Sequence, residues 1–76
     1  MNTTEARQNL TAAIAKRTQL VKVAEALTGR KATAAWKAVE VASWDVDLAA
    51  REVEMATRRE MVGATEAEIM TAALSA

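Results

Sequence analysis

Residues 32–62 read ATAAWKAVEVASWDVDLAAREVEMATRREMV, and the placing of apolar residues in that stretch decides the fold. One track runs Ala32, Ala35, Trp36, Val39, Ala42, Val46, Ala49, Ala50, Val53 and Ala56, mostly at steps of three and four. Such spacing marks one face of a helix. A second track, Ala34, Val41, Leu48, Met55 and Val62, recurs every seven residues with Trp44 beside it. A helix needs one stripe to sit on a core. Two opposed stripes predict a helix with neighbours on both sides, and in a 76-residue chain the second neighbour is either a folded-back segment or another molecule.

The rest of the chain supplies the first neighbour. Upstream, Ala6, Leu10, Ala13, Ile14, Arg17, Leu20, Val21, Ala24 and Leu27 form a helical stripe, with Arg17 read as a long stem packed along it. Asn2 and Glu5 stand in the relation of a helix-starting capping box. Gly29 follows where this pattern stops and is expected to end the first helix in the left-handed conformation. A connection this short, carrying Arg30 and Lys31, implies an antiparallel hairpin. Ser43 raises the alternative of a new helix start, but both tracks pass it without changing phase, so one helix is expected over 32–62. Asp47 with Arg51 and Glu54 with Arg58, four apart and acid first, support it. Gly63 closes that helix, and Thr65 with Glu68 gives a second capping box opening a short helix over 66–74. The reading is one all-α domain: a long antiparallel hairpin of helices over 3–28 and 32–62, a short C-terminal helix, and assembly into a dimeric helical bundle.

Composition excludes most chemistry. Cysteine, histidine, tyrosine, phenylalanine and proline are absent, and glycine occurs twice. Without histidine or cysteine there is no thiolate, no ordinary zinc set and no base to activate Ser43 or Ser75. The carboxylates form ridges along helix faces, Glu40, Asp47 and Glu54 in one, Asp45 and Glu52 in another. Ridges on one helix lack the convergence that a helical metal site needs. No enzyme activity, cofactor or metal is expected. No apolar run approaches the roughly 20 residues of a membrane span, and the N-terminus has no secretory pattern, so a cytoplasmic protein is expected. An alanine-rich, lysine-poor composition suggests a GC-rich bacterium or its phage.

Net charge is zero, but residues 1–38 carry +5 and residues 39–76 carry −5. Two helices of opposite sign lying side by side is the plain explanation; a basic surface formed by Lys16, Lys22, Arg30, Lys31 and Lys37 for nucleic acid is the sharper one. The stretch Gly63 to Ile69, with Ala72, Ala73 and Leu74, is similar to the opening of helix-turn-helix segments in bacterial regulators, without the recognition helix that should follow. Trp36 is expected in the hairpin core. Trp44, with Val41, Leu48, Met55 and Val62, is expected at a protein interface, either a homodimer seam or a target site, unless the C-terminal helix covers it. Together these features predict a small non-enzymatic adaptor or regulator that self-associates and binds a partner protein, with a nucleic-acid-binding regulator as the alternative.

Overall fold

A computed structural model describes residues 2–74. It contains three helices, α1 (Thr3–Ala26), α2 (Gly29–Glu60) and α3 (Glu66–Leu74). α1 and α2 pack along their length as a hairpin, and α3 packs against α2. α2 is continuous through Ser43, whose hydroxyl donates at 3.0 Å to the Val39 carbonyl, the acceptor it shares with its own helical N–H.

The turn differs from the sequence expectation. α1 ends at Ala26, not 28, with Leu27 extended and its N–H bonded to the Ala24 carbonyl at 3.2 Å. Gly29 does adopt a left-handed φ of 64°, yet it is the first residue of α2 and not the cap of α1. Arg30 and Lys31 therefore belong to the first turn of α2, which begins three residues before position 32. The reason is economy of the reversal: two extended residues, Leu27 and Thr28, turn the chain, and glycine alone tolerates the φ that redirects it into the next helix. At the other end α2 stops at Glu60, two residues before 62, and Gly63, at φ 89°, reverses the chain toward α3. The N-cap half of each capping box forms. The Glu5 N–H donates to Asn2 Oδ1 at 2.8 Å, and the Glu68 N–H donates to Thr65 Oγ1 at 3.3 Å while that hydroxyl donates to the Glu68 carboxylate.

The seam is made of small residues. Ala6 and Ala24 of α1 and Ala42, Ala49 and Ala56 of α2 are buried, with Val53, Ile69 and the hydroxyl-bearing Thr57. Thr57 meets its own polar requirement by donating to the Val53 carbonyl at 2.8 Å. Alanine lets the helix axes approach closely, and the larger Leu10, Leu20, Val21 and Leu27 lie half-buried at the edges of the contact. Among the described residues no large side chain is fully buried. Three sequence assignments change for this reason. Trp36 is 46% exposed rather than in the core, Ile14 is 41% exposed, and Ala50 lies on the surface. A seam this close has room for a methyl at its centre and pushes wide side chains to its flanks.

The result is a rod of 53 × 18 × 17 Å with a radius of gyration of 15.7 Å, against roughly 11 Å for a compact domain of this length. It exposes 5455 Å², where a compact monomer of this mass exposes roughly 4,500 Å². Because the seam depends on close approach, Ala49→Leu should destabilise the chain by about 1–3 kcal/mol in urea unfolding through overpacking. Ala12→Leu, on the exposed side of α1, should change stability by less than about 0.5 kcal/mol. Equal effects from the two would show that the seam is not closely packed.

Candidate interaction surface

The second apolar track of α2 faces away from α1. Val41, Trp44, Leu48 and Met55 are each between 51% and 58% exposed, and Val62, just past the end of the helix, is 88% exposed. At 1.5 Å per residue the stripe from Val41 to Met55 is roughly 21 Å long. Trp44 and Leu48 line a shallow hollow with Asp47 and Arg51. Val41 borders another with Lys16, Leu20, Ala38, Ala42 and Asp45. Scattered surface apolar residues need no explanation, but an aligned row that includes a tryptophan does. A wider depression lies along α1 beside Thr4, Arg7, Gln8, Thr11, Ala12 and Ala15; these small and polar residues offer no anchor.

α3 does not cover the stripe. It docks at the open end of the hairpin and buries Ile69 while Ala73 and Leu10 pack on the cluster of Ala6, Val53 and Ala56. A nine-residue helix is too short to persist alone, and it is tied at both ends. Near its start Arg58 donates to Glu66 and, at 2.7 Å, to Glu54. Near its end Arg7 Nη2 donates to the Ala72 carbonyl at 2.6 Å, satisfying a carbonyl in the last turn, where a cation is favoured. A third tie closes the hairpin itself: the Glu60 carboxylate accepts the Thr3 N–H at 2.9 Å and the Thr3 hydroxyl at 2.5 Å.

These ties were missed from sequence, apart from the Glu54–Arg58 pair. Chain reversal alone does not place Glu60, since equal rise in two helices turning at 28 sets residue 3 opposite roughly residue 53. Arg7 and Glu66 carried no signal either, because their partners depend on where α3 docks.

The fold also rearranges the charges. The basic half of the sequence does not become one helix lying against an acidic one. Residues 16–38, which span the turn, hold Lys16, Arg17, Lys22, Arg30, Lys31 and Lys37 with Glu25 as the lone acid, at net +5, while Asp45 of α2 borders the same hollow as Lys16. The rest of the chain carries −5. The polarity is end to end, because the hairpin folds the second half of α1 onto the start of α2. Lys22, Arg30, Lys31 and Lys37 thus lie toward the turn end of the rod and Lys16 beside Val41, all exposed, while Val41, Trp44, Leu48 and Met55 share one face near its middle.

Among the described residues there is no group of three or more carboxylates placed to hold a metal ion, and no helix long and apolar enough to cross a membrane. Comparison with protein-family models, with curated proteins and with solved structures finds no match to this chain. The functional reading therefore rests on the surface just described.

Acid should act first at the open end. The hydrogen bond from Arg58 holds the Glu66 carboxyl below its ordinary value of 4.5, and the Thr3 hydroxyl and N–H do the same for Glu60. A carboxyl whose pKa is lower folded than unfolded adds stability that is present above its unfolded value and is lost as pH falls through its folded one. Protection of the α3 amides, taken relative to the intrinsic exchange rate at each pH, should fall as pH drops below about 4.5, before protection in the centre of α2 does. Glu66→Gln should already show loosened α3 amides at neutral pH; unchanged protection in that variant would show that the Arg58 tie contributes nothing.

Proposed function

We propose that this protein is a small, non-enzymatic helical interaction module, an adaptor or regulator of bacterial or phage type working in the cytoplasm. It self-associates and engages partner protein through the outer face of α2. One observation carries this reading: Val41, Trp44, Leu48 and Met55 form an aligned apolar row that neither α1 nor α3 covers. Tryptophan is enriched among the residues that dominate binding energy, and a buried row of this kind supplies the desolvated centre of an interface. The chain's own shape supports it. Its surplus surface over a compact monomer is of the same order as the roughly 800 Å² that each partner contributes to an ordinary stable interface.

The stripe residues lie outside the buried seam, so association can be tested without losing the helices. Light scattering at high micromolar concentration should give a dimer. Trp44→Glu or Leu48→Glu should weaken it by roughly 30-fold or more while far-UV circular dichroism stays helical. A wild-type chain that remains monomeric at that concentration refutes self-association.

A second reading is supported by the exposure of Lys16, Lys22, Arg30, Lys31 and Lys37, the last four toward the turn end of the rod, which suits a phosphate backbone. In that case a mobility-shift titration should show binding that falls steeply with salt and disappears in a Lys22→Glu, Lys31→Glu, Lys37→Glu variant. No shift at low salt excludes it.

A further inference from the structure

We infer that the joint between α2 and α3 is a two-position hinge at Gly63: bent, as the structure has it, or straight, with α2 and α3 joined in one helix. Its use rests on the interface proposed above, because the straight form lengthens the apolar row of α2; the motion itself needs no partner. Three observations lead there.

The row keeps its phase across the bend. Val41, Leu48, Met55, Val62 and Ile69 recur every seven residues, and Ala73 stands 18 residues, about five turns, after Met55. On a continuous helix Ile69 and Ala73 fall in line with the exposed row. In the bent form the same two side chains are turned against the hairpin: Ile69 is buried, and Ala73 packs on the cluster of Ala6, Val53 and Ala56. Val62, at the bend, is almost wholly exposed. The bend therefore folds the last part of the row onto the open end of the hairpin and leaves Val62 outside.

The break in the helix is short. α2 ends at Glu60 and α3 begins at Glu66. Yet the Met61 N–H still bonds the Thr57 carbonyl at 3.0 Å, and the Ile69 N–H bonds the Thr65 carbonyl at 3.0 Å. Between them Met61 and Ala64 are good helix formers, and proline is absent. The two settings differ in a few dihedral angles at the ends of two helices, where hinges absorb such changes.

One residue holds the bend. Gly63 has a φ of 89°, which a side-chain-bearing residue rarely adopts, and a Cβ added there meets nothing within 4 Å. Gly63→Ala thus acts through backbone preference: it disfavours the left-handed setting and favours the helical one. Opposing it are the burial of Ile69 and the ties of Arg58 to Glu66 and of Arg7 to the Ala72 carbonyl, all made by the bent form.

The chain has no cysteine, so paired spin labels can be placed without background. Thr11→Cys on α1 and Thr71→Cys on α3 are at exposed positions. Bent, with Leu10 and Ala73 on one cluster, the labels lie within about 20 Å; straight, residue 71 stands roughly 27 Å beyond Val53 along the axis and the labels part to about 30 Å. At a concentration where the chain is monomeric, the wild type should give the short distance. Gly63→Ala should move the ratio of straight to bent roughly 30-fold toward straight, so that the long distance appears and far-UV circular dichroism gains helix. Gly63→Asn, which tolerates the left-handed φ, should keep the short distance. An unchanged distance in Gly63→Ala, or a broad one with helix lost, overturns the hinge and leaves the interface reading standing. A Gly63→Ala chain that straightens yet stays monomeric at high concentration upholds the hinge and refutes self-association.

Discussion

The close approach of α1 and α2 along a row of alanines is the constraint on which the rest of the molecule depends. Ala6, Ala24, Ala42, Ala49 and Ala56 admit no spacer between the two helices. Each methyl contributes little apolar area, on the order of 0.8 kcal/mol per buried carbon group, so the hairpin depends on the repetition of a small contact along its whole length. Wide side chains cannot enter such a seam. Leu10, Leu20 and Leu27 settle at its edges, Trp36 and Ile14 are forced outward, and the rod stays thin.

A thin seam leaves the ends to be held by other means, and the two ends are held differently. The turn end is closed by two extended residues and the left-handed Gly29, with Ala24 buried and Leu27 half-buried beside it. The open end is held by side chains: Glu60 on Thr3, Arg58 on Glu54 and Glu66, Arg7 on the Ala72 carbonyl. α3 adds apolar cover there through Ile69 and Ala73. The polar ties just named are therefore at the open end, and Lys22, Arg30, Lys31 and Lys37 lie toward the other.

The same thinness gives the outer face of α2 its meaning. A helix that supplies a methyl-lined face to its own hairpin has spent little of its apolar content, and the larger residues Val41, Trp44, Leu48 and Met55 remain outside. Covering them with a second rod would give four long helices around a second seam with far more apolar area than the first. Stability would then rise with protein concentration, since a partner that binds the folded chain alone stabilises it by mass action.

Much of this was legible in the residues. The two periodicities of 32–62 give a helix with opposed apolar faces, Thr65 with Glu68 gives the start of α3, and the outer row from Val41 to Met55 is exposed as its phase requires. These are local properties, set by 3.6 residues per turn and by which side chains free backbone groups can accept. Tertiary structure decided the remainder. Whether Trp36 or Ala42 sits at the centre of the seam depends on the distance between two helix axes, which no single helix encodes. The charge halves became the two ends of a rod because the chain reverses at 27–29 and folds like charges onto each other. Arg7 acquired a role only when α3 docked across the open end. Faces are fixed by neighbours in sequence; partners are fixed by packing between segments far apart in it.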